Sequence, residues 1–250
     1  MNILEVRGLE KSYPDSESKT NFKAVDGVSF KLEDIQIYGI LGPNGAGKTT
    51  TLEMIEGLTD IDDGYALVNG INVTDDPYGV KAIIGVQLQS NEYFDGLSLK
   101  ELLTLFGKLY QNNINANDLL QRVDLEEKLN AKPSELSGGQ KQRFSIACAM
   151  VNQPKVLFLD EPTTGLDPQA KHNLWKLIKE LNQTGMTIVL TTHNMEEAES
   201  LCHKVAIMDR GKIISEGTPH DLITKFNNDS GEMGNLEKVF LSITGRDLKD

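Results

Sequence analysis

Gly42-Pro43-Asn44-Gly45-Ala46-Gly47-Lys48-Thr49 has the spacing Gly-x-x-x-x-Gly-Lys-Ser/Thr, in which each residue type has a physical task. Glycines let a backbone turn tightly with its N–H groups facing inward, so that phosphate oxygens approach without meeting a Cβ. Lys48 brings a positive charge to the outer phosphates, and the Thr49 hydroxyl offers one oxygen ligand to Mg²⁺. A second cluster closes the apolar run Val156-Leu157-Phe158-Leu159, where Asp160 and Glu161 stand before Pro162. Carboxylates at the end of a buried parallel strand emerge where ligands collect. Asp160 there suits support of Mg²⁺, and Glu161 suits orienting or deprotonating an attacking water. The chemistry implied is capture and hydrolysis of a nucleoside triphosphate.

A third cluster, Leu136-Ser137-Gly138-Gly139-Gln140, precedes the apolar helix-forming run Phe144 to Met150. Its N–H groups make a second helix start suited to an anion. One nucleotide is not easily held by two helix starts of one chain when the first already embraces its phosphates. A head-to-tail pair of chains resolves this, the loop of one copy facing Ser137 to Gln140 of the other across ATP, twice over by two-fold symmetry.

Positioning these groups requires strands that end at one edge and helices that begin there. The run Ile37 to Leu41 predicts a buried strand into the glycine loop, and Lys48 to Glu56 a helix out of it. Further strands are expected at Ile3 to Arg7, Ala24 to Leu32, Tyr65 to Val68, Ile83 to Leu88, Val156 to Asp160, Thr187 to Thr192, Lys204 to Met208 and Lys212 to Glu216. Helices are expected at Leu99 to Tyr110, Asp118 to Val123, Gly138 to Val151, Pro168 to Asn182, Met195 to Cys202 and Pro219 to Lys225. Such alternation predicts a sheet with helices on its faces. No strand is expected between Asp95 and Asn152, which reads as a helical insertion. Asp15 to Lys19 reads as a loop, and Asn227 to Gly231 as a break before an amphipathic segment, Leu236 to Ile243.

With 250 residues, 39% of them hydrophobic, the chain can bury one large core. A net charge of -12 without a sustained basic stripe argues against a general nucleic-acid binder. Cys148 and Cys202 lie in apolar, helix-like surroundings and read as reduced core thiols. Met1 to Val6 lacks a basic region followed by an apolar stretch, so no secretion signal is expected. No apolar run approaches the ~20 residues of a membrane span, so any action on membranes is expected to pass through partners.

On these motifs the chain resembles the nucleotide-binding subunits of ATP-binding cassette (ABC) transporters over nearly its whole length. The resemblance implies an α/β fold: a P-loop NTPase core of mixed sheet flanked by helices, an antiparallel β subdomain and an inserted α-helical subdomain. Residues 1–226 would be the ATP-binding domain, with the helical part at about 90–152, and 227–250 a tail. Tyr13 would stack on adenine, and Gly42, Pro43, Asn44, Gly45, Ala46, Gly47, Lys48, Thr49 and Thr50 would form the Walker A loop. Asp160 would be the Walker B carboxylate and Glu161 the catalytic glutamate. Gln89 matches the Q-loop glutamine, which senses Mg²⁺ and water and couples to the membrane partner. Gln87 lies two residues earlier, and the spacing to Leu97-Ser98-Leu99 favours Gln89. Ser137, Gly138, Gly139 and Gln140 match the signature segment. Thr164 to Asp167 match the D-loop, with Asp167 acting across a dimer, and His193 matches the switch histidine at the γ-phosphate. One departure is Asp34-Ile35-Gln36, where the family has a glycine turn.

Gly85 to Gln89 and the tail Asn235 to Arg246 resemble the daunorubicin-resistance type of exporter ATPase. That implies a homodimer, separate transmembrane permease subunits, a peripheral place on the cytoplasmic face of the cell membrane, and export of a drug, peptide or lipid. The tail helix is equally readable as packing on the core. Two other classes stand beside the transporter reading: a soluble ATPase of the same type acting on nucleic acid or the ribosome, and a regulatory module with little catalysis. The first usually carries coiled coils, metal-binding cysteines or two cassettes, none visible here; intact Glu161 and His193 weigh against the second.

Overall fold

The computed structural model of the chain describes residues 2–14, 21–88, 93–94, 96–230 and 234–245. β3 (Ile37–Leu41), β7 (Val156–Asp160) and β8 (Thr187–Thr192) are buried at every residue, as strands covered on both faces must be. With β6 (Ile84–Gln87) and β9 (Lys204–Asp209) they pair in parallel, and β10 (Lys212–Gly217) joins the edge antiparallel, in the order β10-β9-β3-β8-β7-β6. Side chains of β3 alternate between two cores: Ile37 and Leu41 enter one, Tyr38 and Ile40 the other. Gly39 has no room for more, because a Cβ there would lie 2.6 Å from Sγ of Cys202.

Over one face lies a smaller antiparallel sheet of β1 (Asn2–Pro14), β2 (Asn21–Glu33), β4 (Asp63–Val68) and β5 (Ile71–Asn72), ordered β2-β1-β4-β5. The rings of Phe30 on β2 and Tyr38 on β3 stack with centroids 4.9 Å apart, which ties the two sheets together. α1 (Lys48–Ile55) fills the same core with Leu52, Met54 and Ile55. The other face carries α5 (Gly138–Ala149), α6 (Pro168–Gln183), α7 (Met195–Leu201), α8 (Pro219–Ser230) and α9 (Leu236–Thr244). α3 (Leu99–Leu109) and α4 (Ala116–Gln121) extend that core through Leu102, Leu103 and Leu120. Among the described residues from 96 to 152 the regular elements are all helical.

The α/β architecture with a mixed sheet and an antiparallel sheet is thus the expected one, but several local expectations need correction. Ile83 ends a helix, α2 (Pro77–Ile83), rather than starting β6. Pro77 sits at the first helical position and the Asp76 carboxylate accepts from Gly79 N at 2.8 Å; of this helix only Val80 is buried, so no apolar period announced it. β5 was also not expected, although Asn69 and Gly70, at φ 49° and 81°, make the two-residue turn that joins it to β4. The break expected at Asn227 is absent, since α8 continues to Ser230. There Asn227 Oδ1 accepts from Gly234 N at 2.7 Å and folds the chain back toward α9. The Asp34-Ile35-Gln36 turn does what a glycine would do elsewhere, with Ile35 at φ 61°. Asp15 to Lys19 and Arg246 lie outside the described residues. No helix among the described residues is long and apolar enough to cross a membrane.

Candidate functional site

Parallel register brings the chemistry to one edge: Leu41 pairs with Thr192 and Asp160 with Thr191, so β3, β7 and β8 end side by side. From β3 the chain enters the Gly42 to Gly47 loop. Gly42 N donates to Thr192 O at 3.2 Å, and Gly211 N, from the turn after β9, donates to Ala46 O at 2.9 Å. The loop is crowded where glycines stand. A Cβ at Gly42 would lie 2.2 Å from Met208 O, and one at Gly47, with φ 99°, 2.3 Å from Ala24 O. Pro43 and Ala46 are buried, whereas Asn44 and Gly45 form the exposed rim.

α1 opens on Gly47 with no side-chain cap. Its first N–H groups and the positive end of its dipole are therefore left for an anion. Lys48, 4% exposed, donates to Gly42 O at 2.9 Å and Pro43 O at 3.1 Å, and its ammonium lies 3.2 Å from Oε1 of Glu161. The Thr49 hydroxyl donates to Asp160 Oδ2 at 3.0 Å. Thr50 lies half-buried in the first turn. A crowded glycine cradle, one buried cation, and a hydroxyl beside a carboxylate fit a nucleoside triphosphate with Mg²⁺, whose preferred ligands are hard oxygens.

Glu161 occupies a left-handed backbone conformation, φ 46°, which a non-glycine residue adopts only when its surroundings enforce it. Its N–H donates to Thr191 Oγ1 at 2.9 Å while the Thr191 hydroxyl donates to Asp160. Thr191 thus holds the two carboxylates in fixed relation. Thr164 Oγ1 donates to Glu161 Oε2 at 3.0 Å, and His193 Nδ1 lies 3.1 Å from the same oxygen. Burial pushes the Glu161 carboxyl up, but the Lys48 charge, the Thr164 hydroxyl and His193 outweigh it and hold it below the usual value. An ionised carboxylate, a half-exposed imidazole and a buried ammonium stand together where a terminal phosphate would meet water.

The other expected residues are placed differently. Tyr13 stands one residue before the end of β1, opposite Phe22 and close in register to Ala24, the residue against Gly47; its ring is partly exposed, with the Lys11 ammonium 5.7 Å from the ring centre. Ser137 caps α5, accepting from Gln140 N at 3.3 Å while Gln140 Oε1 accepts from Ser137 N at 2.9 Å. Gly138 and Gly139 pack beside Leu166 and Ala170. Asp167 caps α6, accepting from Ala170 N at 2.9 Å. No hydrogen bond among the described residues joins Ser137 to Gln140, or Asp167, to the Gly42 to Thr49 loop. Gln89 lies outside the described residues. Gln87 is buried at the end of β6, with Nε2 donating to Leu88 O and Oε1 without a partner among the described residues. Sequence reasoning gave no role to Thr191, whose place opposite Asp160 is a matter of strand register. Cys148 and Cys202 are free thiols that burial pushes well above the ordinary value.

Residues 25–164 match the family model of the ABC transporter. The Nod factor export ATP-binding protein I of Burkholderia lata is 42% identical over 225 residues, covering 88% of this chain and 72% of that protein. Its counterpart from Rhizobium etli is 39% identical over 228 residues, covering 89% and 70%. Among solved structures, the ATP-binding subunit of an ABC transporter superposes with a TM-score of 0.80 at 29% identity, over 97% of this chain and 99% of that one. A dimeric ATP-binding cassette in a post-hydrolysis state, bound to ADP and Pi, superposes with a TM-score of 0.76 at 26% identity, over 86% and 98%. A glycine cradle on a buried lysine, paired carboxylates and these likenesses agree: the chain belongs to the ABC transporter family, as an ATP-binding and ATP-hydrolysing subunit.

Proposed function

We propose that the chain drives export through separate transmembrane subunits, by closing two copies of itself on two ATP molecules and opening them by hydrolysis. The observation that carries this is a divided site. Lys48, Thr49, Asp160, Glu161 and His193 converge on one edge, while among the described residues Ser137 to Gln140 and Asp167 make only local capping bonds and none to it. The α1 N-terminus and Lys48 bind the phosphates, and Tyr13 covers the adenine. Thr49, Asp160 and Gln89 would hold Mg²⁺, which when bound adds positive charge to the phosphate oxygens. Glu161 takes the proton of, or orients, the attacking water, and His193 positions the terminal phosphate. Ser137, Gly138, Gly139, Gln140 and Asp167 come from the second copy. Each phosphate tail then supplies contacts that neither copy has alone, and their loss on hydrolysis releases the interface.

The export direction is supported by relatives named for Nod factor export; the cargo class stays as broad as a drug, peptide or lipid. We place the chain at the cytoplasmic face of the membrane. Its docking side is the exposed apolar patch of Leu58, Leu88, Leu109 and Tyr110, since patches of that kind mark interaction sites. Complementation tests the shared site. Lys48→Ala and Ser137→Ala chains should each be inactive, yet their mixture should regain about a quarter of wild-type ATPase activity, because half the dimers carry one intact composite site. No recovery from a mixture shown to dimerise would overturn the head-to-tail reading.

A further inference from the structure

Glu197, in the first turn of α7, is 1% exposed. A carboxyl taken out of water is costly unless donors meet its oxygens, and here they come from three segments. Trp175 Nε1 of α6 donates to Glu197 Oε1 at 3.0 Å. The hydroxyls of Thr192, the last residue of β8, and of Thr163, in the turn after β7, hydrogen-bond to the same carboxyl. Both threonines are buried. Burial pushes the Glu197 carboxyl up, and the two hydroxyls, the indole and the Lys171 charge pull it the other way; the N-terminal end of a helix also favours a negative charge. Asn194 fixes the backbone beside it, Oδ1 accepting from Glu197 N at 3.2 Å while Asn194 N donates to Thr192 Oγ1 at 2.9 Å.

Each threonine adjoins a residue of the hydrolytic site. Thr163 precedes Thr164, whose hydroxyl donates to Glu161 Oε2 at 3.0 Å, and Thr192 precedes His193, whose Nδ1 lies 3.1 Å from that same oxygen. The two segments leave the ends of neighbouring parallel strands and are tied together twice, once at Glu161 and once at Glu197. We infer that Glu197 is a positioning residue for ATP hydrolysis, holding the Thr163-Thr164 turn and the Thr192-His193 strand end at the separation that lets Thr164 and His193 share one oxygen of Glu161. This role rests on the hydrolytic reading of Glu161 and His193 given above, and adds what keeps them in place. A shift of about 1 Å at a reacting group can cost on the order of a hundredfold in rate, so a second tie of this kind bears on turnover without adding to the grip on ATP.

The test separates turnover from binding in the full chain. Glu197→Gln keeps the shape but puts a donor where one acceptor oxygen stood; kcat should fall about tenfold or more, while the ATP dissociation constant, measured by titration, moves less than about twofold. Thr163→Val and Thr192→Val should each lower kcat in the same way, and Thr163→Ser and Thr192→Ser should recover turnover because the hydroxyl returns. Neither valine should cost more when added to Glu197→Gln, since the three side chains act as one unit. Equal losses of kcat and ATP affinity would make Glu197 a packing residue and overturn the inference, as would serine variants as slow as the valine ones or losses that add. Should Glu197→Gln not fold, the threonine series decides alone, and wild-type kcat in both valine variants overturns the inference. Glu161→Gln distinguishes that failure from failure of the reading beneath it. Turnover lost there but intact in Glu197→Gln sinks only the positioning role; wild-type turnover in Glu161→Gln sinks the hydrolytic reading as well.

Discussion

The starts of α1 and α5 carry similar motifs and are finished in opposite ways. α1 begins on a left-handed glycine without a side-chain cap, Gly47, wedged between Ala24 O and the Met208 side chain, with Lys48 buried beside it. α5 begins on an exposed serine whose hydroxyl and Gln140 close a capping box. The first end leaves its N–H groups unanswered inside a built cradle, and so is ready for phosphate. The second has already satisfied two of its donors and offers the remainder, at Gly138 and Gly139, outward. The sequence reading already made the two helix starts halves of one site shared by two copies; burial shows how differently the halves are built, the first inside a crowded cradle and the second at the surface.

The largest expected effect falls on the finished side. Glu161→Gln should lower ATP turnover by about a hundredfold or more while ATP still binds, and sedimentation with ATP should show an accumulated dimer. Wild-type turnover in that variant would remove Glu161 from the base role. Next, titration of ATP into dilute chains should separate the two helix starts. Lys48→Ala should weaken affinity by about tenfold or more, the loss of a charge-assisted bond, whereas Ser137→Ala should leave the affinity of the isolated chain unchanged and lower turnover. Equal losses of affinity would mean that both helix starts grip one nucleotide within one chain.

The opposite end of α1 supplies a pH test. Glu56 is raised from an ordinary 4.5 to about 8, so between those values the folded chain keeps a proton that the unfolded chain has released. Stability therefore falls as pH rises through that window. Glu56→Gln should flatten the fall, narrowing the difference in unfolding free energy between pH 5 and pH 8.5 by on the order of 3 kcal/mol; an unchanged slope in urea titrations would place the titration elsewhere. Glu161 has the reverse sign, its lowered carboxyl stabilising the fold above about 4.5 and ceasing to do so as acid protonates it. The smallest effect concerns Ile35, a β-branched residue at φ 61°. Ile35→Gly should stabilise the fold by about 1 kcal/mol, relief of the left-handed strain exceeding the entropy glycine adds to the unfolded chain. A lower melting temperature would show that the isoleucine side chain compensates for its backbone.

Much of this was legible in the residues because local physics wrote it there. Four apolar residues before Asp160, the five of Ile37 to Leu41, and glycines at positions crowded by backbone oxygens are short-range patterns that only a buried strand and a tight loop satisfy. α2 was hidden because one buried valine makes no period, and β5 because two residues make no strand pattern. The continuation of α8 past Asn227 depends on Gly234, a contact between residues seven apart that propensity does not foresee.

The sequence by itself therefore determined the inventory: a phosphate loop, two carboxylates, a histidine after a strand and a second helix start. Tertiary structure decided their relations. Register between β7 and β8 set Thr191 between Asp160 and Glu161, and packing buried the Glu56 carboxyl at the C-terminal end of α1. The physical reason is that residue type and spacing act over a few residues of chain, whereas hydrogen bonding across strands and the desolvation of a charge depend on what distant segments bring beside it.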